Sequence, residues 1–143
     1  AWLETPEPNV WGMTTVESSK YLWRIDALKG CPFVVHGLSI EPLLEDMPNL
    51  GEYLDGIDWV ITGGESGSSA RPPHPDWIRR IRDFCINLEI PYFHKQWGEW
   101  LPGLQDGAAD ELNCSDNPIR VGKKRAGRLL DGREWSQLPE VRA

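Results

Sequence analysis

The sequence has no apolar run long enough to cross a bilayer, and it does not begin with the basic, apolar and small-residue pattern of a secretory signal. It is also poor in positive charge: 15 Lys and Arg stand against 22 Asp and Glu, a net charge of −7. This balance argues against the domain-wide basic footprint of a nucleic-acid-binding protein. We therefore predict a cytoplasmic protein with no membrane partner, for which nucleic acid is an unfavoured ligand.

Cysteine is scarce as well. Cys31, Cys85 and Cys114 are widely separated and no C-x-x-C occurs, which excludes the usual zinc sites and a disulfide framework. We interpret Cys31 and Cys85 as small core residues. A G-x-G-x-x-G turn and a P-loop lysine are also missing. The chain by itself is expected to hold no metal and no resident cofactor.

What the sequence does contain is a regular alternation of strand and helix patterns. Apolar, β-branched runs predict strands at residues 9–16, 33–40, 57–62 and 90–94. Between them, helical patterns begin near Ser18, at Asn49 and at Pro75, the last with a broad apolar stripe.

This alternation predicts an α/β fold with a parallel sheet of about four strands. Four strands in roughly 90 residues is half of a TIM-type barrel, and an open doubly wound sheet is the alternative. Residues 101–118 read as a loop, and Asp131-Gly132 predicts a β-hairpin turn. We divide the chain into a βα half-barrel at residues 1–100 and a loop-plus-hairpin tail packed on it at residues 101–143.

Functional side chains of parallel α/β folds gather at the carboxyl ends of the strands. Two groups of residues follow the predicted strands in this way. The candidate catalytic residues are Glu41, Glu65, Lys95 and His94. The candidate ligand-binding residues are Gly63, Gly64, Ser66, Arg71 and Gln96.

Each group has a chemical reason and a structural alternative. The two carboxylates suit an amine, a ribose hydroxyl or a metal, and Arg71 suits a carboxylate or phosphate. The glycines let a ligand approach the backbone closely. In the alternative, Glu41 before Pro42 only ends a strand, and Lys95 and Glu65 form an ion pair at the rim of the sheet.

Five of the eight tryptophans can be assigned to two groups. Trp11, Trp59 and Trp77 lie in apolar periodic segments and are expected in the core. Candidate partner-binding residues are Trp97 and Trp100, which flank Gly98, and the basic run Lys123, Lys124 and Arg125. That basic run also suits a phosphate backbone, and a solvated turn is its simpler explanation.

Several segments carry a resemblance to a known family. The segments are NVWGMTTVE, LSIEPLL, DWVITGGESGSSARP, HPDWIRRIRDFC, IPYFHKQWGEW and VGKKRAGRLLDGREW. They resemble the C-terminal half of a phage-associated family of unknown function whose longer members look like radical S-adenosylmethionine enzymes. In those members an N-terminal half carries a C-x-x-x-C-x-x-C-like motif for an iron–sulfur cluster.

The resemblance implies the fold and a ligand-facing rim, but the three-cysteine motif is missing here. Our first hypothesis is a phage- or prophage-derived half-barrel that is not independently catalytic. S-adenosylmethionine and a cluster would bind only if an N-terminal half were supplied. An unpaired half-barrel exposes strand edges, which predicts a homodimer or a partner chain that completes the barrel. The start at Ala1 fits removal of an initiator methionine or excision from a longer protein.

Two other hypotheses belong to different classes. One is a small acidic phage protein that binds and inhibits a host defence or replication protein. The other is a hydrolase or transferase that uses Glu41, Glu65 and His94 as acid–base groups.

The first hypothesis predicts that the purified chain is colourless. Without cluster ligands it has no electron donor for reductive cleavage of S-adenosylmethionine. Anaerobic iron and sulfide reconstitution followed by visible absorption spectroscopy checks this. A broad visible band together with cleavage of S-adenosylmethionine would overturn the hypothesis.

Overall fold

A four-stranded parallel sheet forms the centre of the protein, in a computed structural model that describes residues 7–103 and 117–140. The strands lie in the order β1-β2-β3-β4. Their bounds are Gly12–Thr15 for β1, His36–Ile40 for β2, Trp59–Gly63 for β3 and Tyr92–Gln96 for β4. The predicted α/β class and the parallel sheet are confirmed. All four strands begin two or three residues later than predicted, because the sequence does not distinguish residues that lead into a strand from the strand itself.

Helices connect these strands. A 3₁₀ helix at Ser19–Tyr21 precedes α1 at Trp23–Lys29, a second 3₁₀ helix spans Leu50–Tyr53, and α2 spans Pro75–Asn87. Pro75 opens α2, and the His74 side chain accepts a hydrogen bond from the Asp76 backbone N–H at 3.2 Å. The helix start predicted at Pro75 is therefore confirmed, with His74 as its cap.

The sequential strand order decides where the helices lie. When each strand lies beside the previous one and every crossover is right-handed, all connections pack on the same side of the sheet. Side chains that alternate toward this covered face are fully buried, as at Leu38, Val60 and Tyr92. The α2 residues Ile78 and Ile81 belong to the same core.

The opposite side, which we call the open face, carries Met13, Trp59, Ile61, Phe93 and Lys95. Met13 is 44% exposed, and the three other apolar residues are half-buried. Trp59 makes edge-to-face contact with Phe93 at 6.2 Å between ring centroids. No helix among the described residues packs over this face.

Trp59 also contacts Trp11 edge to face, at 6.0 Å. Trp11 is 36% exposed, so its predicted place in the core is wrong. Trp59 is half-buried on the open face, whereas Trp77 lies on α2, is half-buried and packs against the core. Apolar periodicity marked Trp11 and Trp59, but it does not reveal whether both faces of a sheet are covered. Cys85 is fully buried as predicted, whereas Cys31 is partly exposed and Cys114 lies outside the described residues.

The strand order has no reversal point, in contrast to the doubly wound alternative, where the order reverses at a switch point. It is the order found in a barrel, but the four described strands form an open sheet. The coarse prediction of a parallel α/β sheet therefore holds. The finer prediction, half of a TIM-type barrel, is not established by this sheet alone.

The tail runs along the free edge of β4. Asp131 and Gly132 both have positive φ, 51° and 73°, and a single antiparallel bridge joins Leu130 to Arg133. The predicted turn is thus confirmed, but the hairpin is only one bridge long. Beyond it, the His94 backbone N–H donates to the Trp135 carbonyl at 3.0 Å. This pairing covers the outer edge of the sheet.

A second small sheet lies before this turn. Strand β5 at Trp100–Leu101 pairs antiparallel with β6 at Ile119–Arg120, and α3 follows at Lys123–Ala126. Most of the predicted loop at residues 101–118 lies outside the described residues. In the part of the chain that the structure describes, no helix combines the length and apolarity needed to cross a membrane.

Asp131 ties the tail to α2 with two ion pairs. Its carboxylate lies 2.7 Å from Arg79 Nη2 and 2.7 Å from Arg82 Nη1, and all three side chains are mostly buried. Burial alone would raise the pKa of Asp131, but the hydrogen bonds and charges of the two arginines lower it below the ordinary 3.8.

We predict that Asp131→Asn lowers the free energy of unfolding by about 1–3 kcal/mol at pH 7, because it removes the mostly buried anion that Arg79 and Arg82 share. The other acidic partners of these two arginines, Asp76 and Asp83, are 63% and 56% exposed and compensate less. Asparagine also tolerates positive φ, so the turn itself is kept. The pKa is lowered in the folded state. The stabilisation is therefore present at neutral pH and is lost only as the pH falls below the ordinary value of 3.8.

Urea unfolding at several pH values measures this difference. Asp83→Asn is the matched control, since Asp83 pairs with the same Arg82 but is 56% exposed. Its effect should stay below about 1 kcal/mol. Equal effects of the two substitutions would contradict the assignment.

Candidate functional site

Three of the predicted site residues meet at the carboxyl ends of β2 and β4. Glu41 Oε2 lies 3.3 Å from Lys95 Nζ, and Glu41 Oε1 accepts a hydrogen bond from Gln96 Nε2 at 3.0 Å. Gln96 Nε2 also donates to the Gly64 carbonyl at 2.8 Å. Gln96 is 6% exposed and its Oε1 has no partner among the described residues. We call Glu41, Lys95 and Gln96 the rim cluster.

Gly63 makes room for this cluster. A Cβ atom on Gly63 would lie 2.8 Å from Glu41 Cδ, closer than real Cβ contacts allow. By alternation along β3, that missing side chain would point to the open face, as Ile61 does. The rim cluster therefore lies at the open-face side of the sheet. Gly63 was predicted to approach a ligand, whereas here it gives space to a carboxylate.

Glu65 and Arg71 form a separate pair at the end of β3. Glu65 Oε2 accepts from the Arg71 backbone N–H at 2.8 Å and from its Nε at 2.9 Å, and Oε1 accepts from Nη2 at 3.0 Å. The hydrogen bonds from the Arg71 side chain and backbone lower the pKa of the Glu65 carboxyl below its ordinary value. The Lys95–Glu65 ion pair considered as a structural alternative does not form, since each residue has another partner.

Close backbone contacts place the rim cluster and the Glu65–Arg71 pair at the same edge of the sheet, the carboxyl ends of its strands. The Gly64 N–H donates to the Gln96 carbonyl at 2.9 Å, and the Glu99 N–H donates to the Glu65 carbonyl at 3.2 Å. A Cβ on Gly64 would lie 1.9 Å from the Trp97 carbonyl oxygen. Gly98, at φ 83°, approaches the Glu65 carbonyl in the same way. The glycines of the G-G-E-S-G and W-G segments thus allow two loops to pack main chain against main chain.

His94 is not part of this rim. It is fully buried on the covered face, and its Nδ1 lies 2.9 Å from Thr62 Oγ1. Burial, with a smaller effect of the Arg128 charge, lowers the pKa of His94 to about 3. It is a neutral imidazole at physiological pH, without access to a substrate at the rim. The geometry does not bring it together with Glu41 and Glu65.

Sequence reasoning missed the polar group around His94. The Thr62 hydroxyl also lies 2.7 Å from the Tyr92 hydroxyl, so three polar side chains form a chain inside the core. His94 Nε2 is buried and has no partner among the described residues. Tyr92 and His94 are two residues apart on one strand, so their side chains point to the same face of the sheet, and this spacing could have indicated the buried polar group.

The predicted partner-binding residues are divided between core and surface. Trp97 is fully buried and its Nε1 donates to the Leu129 carbonyl at 2.7 Å, so it presents no surface to a partner. Trp100 is half-buried and donates to the Ala70 carbonyl at 2.8 Å. The other three predicted partner-binding residues, Lys123, Lys124 and Arg125, are exposed. Ser66, a predicted ligand-binding residue, is also exposed.

Metal ligation has little support among the described residues. No three His, Cys, Asp or Glu side chains there lie close enough to hold an ion. Burial raises the pKa of the Cys85 thiol to about 12, so it stays protonated. The rim cluster can instead offer an ammonium, a carboxylate and an amide to a polar ligand.

The fold and this rim define an α/β protein with a parallel sheet, a covered face and a polar group at the carboxyl ends of its strands. The family described as "Protein of unknown function (DUF5131)" matches residues 1–139, and the chain belongs to that family. A search of curated proteins and a search of solved structures each gave no match.

We predict that Gly64→Ala destabilises the protein by about 3 kcal/mol or more, because the added methyl group would overlap the Trp97 carbonyl and separate the two loops. Thermal or urea unfolding measures the change. Gly30→Ala serves as the control, since its Cβ would lie 3.5 Å from the nearest atom at an ordinary φ of −73°. A Gly64→Ala protein as stable as Gly30→Ala would refute the close packing.

Proposed function

We propose that this chain is the ligand-binding, carboxyl-terminal half of a βα-barrel protein related to radical S-adenosylmethionine enzymes, and that it acts only when a second half covers its open face. The observation that carries the proposal is the position of the rim cluster on the uncovered side of a parallel sheet. The relation to radical enzymes, and the phage origin, rest on the resemblance of the segments quoted above.

Two physical arguments support the proposal that a second half covers the open face. Parallel sheets occur almost always with both faces buried, and here the open face keeps Met13 44% exposed beside half-buried aromatic rings. The sequential strand order is the order that a barrel requires, and right-handed crossovers place its connections on one side of the sheet. In a closed barrel the open face becomes the interior wall, and the rim cluster lies at the mouth.

The proposed role of the rim follows from its charges. In a completed barrel, Glu41 and Lys95 would contact the polar part of a substrate or cofactor, and Gln96 holds Glu41 in place through its amide. The cysteines for a cluster, and hence any radical chemistry, would come from the other half. This chain would contribute binding and orientation.

The occupant that we propose for the open face is a three-cysteine βα half of the kind found in the longer relatives, with a second copy of this chain as its substitute when the chain is alone. The purified chain should then behave as a dimer in light scattering. Co-expression with such an N-terminal half should give a one-to-one complex in place of the dimer.

Met13→Lys should weaken both associations, because it introduces an ammonium group into an apolar contact. Ile86→Lys is the matched control, since Ile86 is 51% exposed on α2, the helix that packs on the covered face. Size-exclusion chromatography with light scattering measures both variants. A monomeric chain that takes up no N-terminal half would contradict the proposal, as would equal effects of the two lysines.

A second candidate function is the acidic binding protein that inhibits a host factor. The same exposed apolar face, in a chain of net charge −7, favours it. In that case a basic host protein would occupy the open face, and the Met13→Lys variant would lose that protein and leave the oligomeric state unchanged. The hydrolase hypothesis loses its acid–base imidazole, because His94 is buried on the covered face and does not meet Glu41 and Glu65.

A further inference from the structure

A shallow basic pocket lies beside the end of β4, next to the rim cluster. Its volume is about 470 Å³. The residues that line it are Lys95, Gln96, Lys123, Lys124, Gly127 and Arg128. Four of these six residues are cationic, in a chain whose net charge is −7. Positive charge is therefore concentrated at one place on an acidic protein.

The backbone brings these cations together from distant parts of the sequence. Gly122 and Gly127, both with positive φ, bracket the single turn of α3. The Trp97 N–H donates to the Gly127 carbonyl at 3.0 Å, and this hydrogen bond joins the residue after α3 to the residue after β4. Lys123 and Lys124 therefore line the same pocket as Lys95, although they follow it by 28 and 29 residues in the sequence.

Arg128 forms the rigid part of the pocket. Its Nη2 donates to the Trp135 carbonyl at 3.1 Å and to the Ser136 hydroxyl, and its guanidinium lies over the Phe93 ring at 4.8 Å. Its Nε is buried and has no partner among the described residues. These contacts are with neutral groups, so the positive charge of Arg128 is not neutralised by an acid among the described residues.

The three lysines of the pocket differ in whether an acidic residue neutralises their charge. Lys95 is paired with Glu41, whereas Lys123 and Lys124 are exposed and form no ion pair with any described residue. Like charges that share one pocket repel each other, and a bound anion relieves that repulsion. Three uncompensated cations and one shared with Glu41 suit an anion with several oxygens and more than one charge.

We propose that this pocket binds the phosphate group of a small phosphorylated ligand. The pocket is shallow and open, so a ligand would be held by the cations around it and not by enclosure; lysine and arginine are both common phosphate ligands. The site is confined to one corner of an acidic molecule, which fits a small ligand better than the extended basic stripe that a nucleic acid needs. The pocket shares Lys95 and Gln96 with the rim cluster, so the proposal extends the ligand-binding role given to that cluster. All of its residues belong to one chain, so binding can be measured without the second half of a barrel.

The test is isothermal titration of the full chain with AMP, adenosine, inorganic phosphate and a single-stranded DNA oligonucleotide. AMP should bind and adenosine should not. Binding should weaken as salt is raised, since exposed charges are screened within about 10 Å at 0.1 M ionic strength. If phosphate and AMP bind equally, the phosphate group alone is recognised; if AMP binds more tightly, the nucleoside contributes.

The double variant Lys123→Ala and Lys124→Ala should weaken AMP and phosphate binding by about tenfold or more, through the loss of two charges from the pocket. Its unfolding temperature should not change, because neither lysine has an ion-pair partner among the described residues. Lys20→Ala with Lys29→Ala is the matched control: it removes the same charge next to β1, at the other edge of the sheet. It should leave binding within about twofold of the parent protein.

Three results would overturn the proposal. One is the failure of both phosphate and AMP to bind, and another is an equal loss of binding in the two double variants. The third is tighter binding of DNA than of AMP, which would assign the pocket to a nucleic-acid surface. Because Met13 lies on the open face and outside this pocket, Met13→Lys should keep AMP binding. Failure of the barrel proposal and failure of this one can therefore be told apart.

Discussion

The handedness of the strand connections is the constraint on which the rest of this structure depends. Four strands in sequential order, each joined to the next by a right-handed crossover, must place all their helices on the same side. The core forms on that side, from alternate residues of the strands and the apolar stripe of α2. The other side is left with partly exposed apolar side chains. The rim cluster lies at the carboxyl end of this uncovered side, where the side chain of Lys95 is exposed and that of Gln96 is buried.

The tail covers the edge of the sheet that β4 would otherwise leave unpaired. It pairs with β4 through the segment after Arg133, and Asp131 fastens its turn to α2. It also carries Arg128 and the two lysines of α3 to the end of β4. Thus a segment without a core of its own supplies both the protection of an edge and most of the charge of the basic pocket.

Much of the fold could be predicted from the sequence because the signals are local. Pro75 and Asp76 mark the start of α2, Asp131-Gly132 marks a turn, and four apolar runs mark the strands. Strand starts were less accurate, since residues 33–35 are apolar but lie before β2. The exposure of Trp11 was missed because covering of a sheet face is a property of the whole topology.

The site was predicted in part. The rule that polar groups gather at carboxyl strand ends found Glu41, Lys95 and Gln96, which do meet. It also selected His94, because the sequence does not show at which residue β4 ends: the strand continues to Gln96, and alternation turns His94 inward. Arg128 was not found, since its role depends on a contact between residues far apart in sequence.

The backbone contact between Trp135 and His94 has a consequence for any shortened form of this protein. If the chain stopped near Arg133, the His94 N–H and the Tyr92 carbonyl would lose their partners and would line a bare strand of aromatic and polar residues. Such an edge is a template for another molecule's strand, and proteins rarely leave one exposed. Residues 135–137 thus protect the β4 edge against edge-to-edge aggregation.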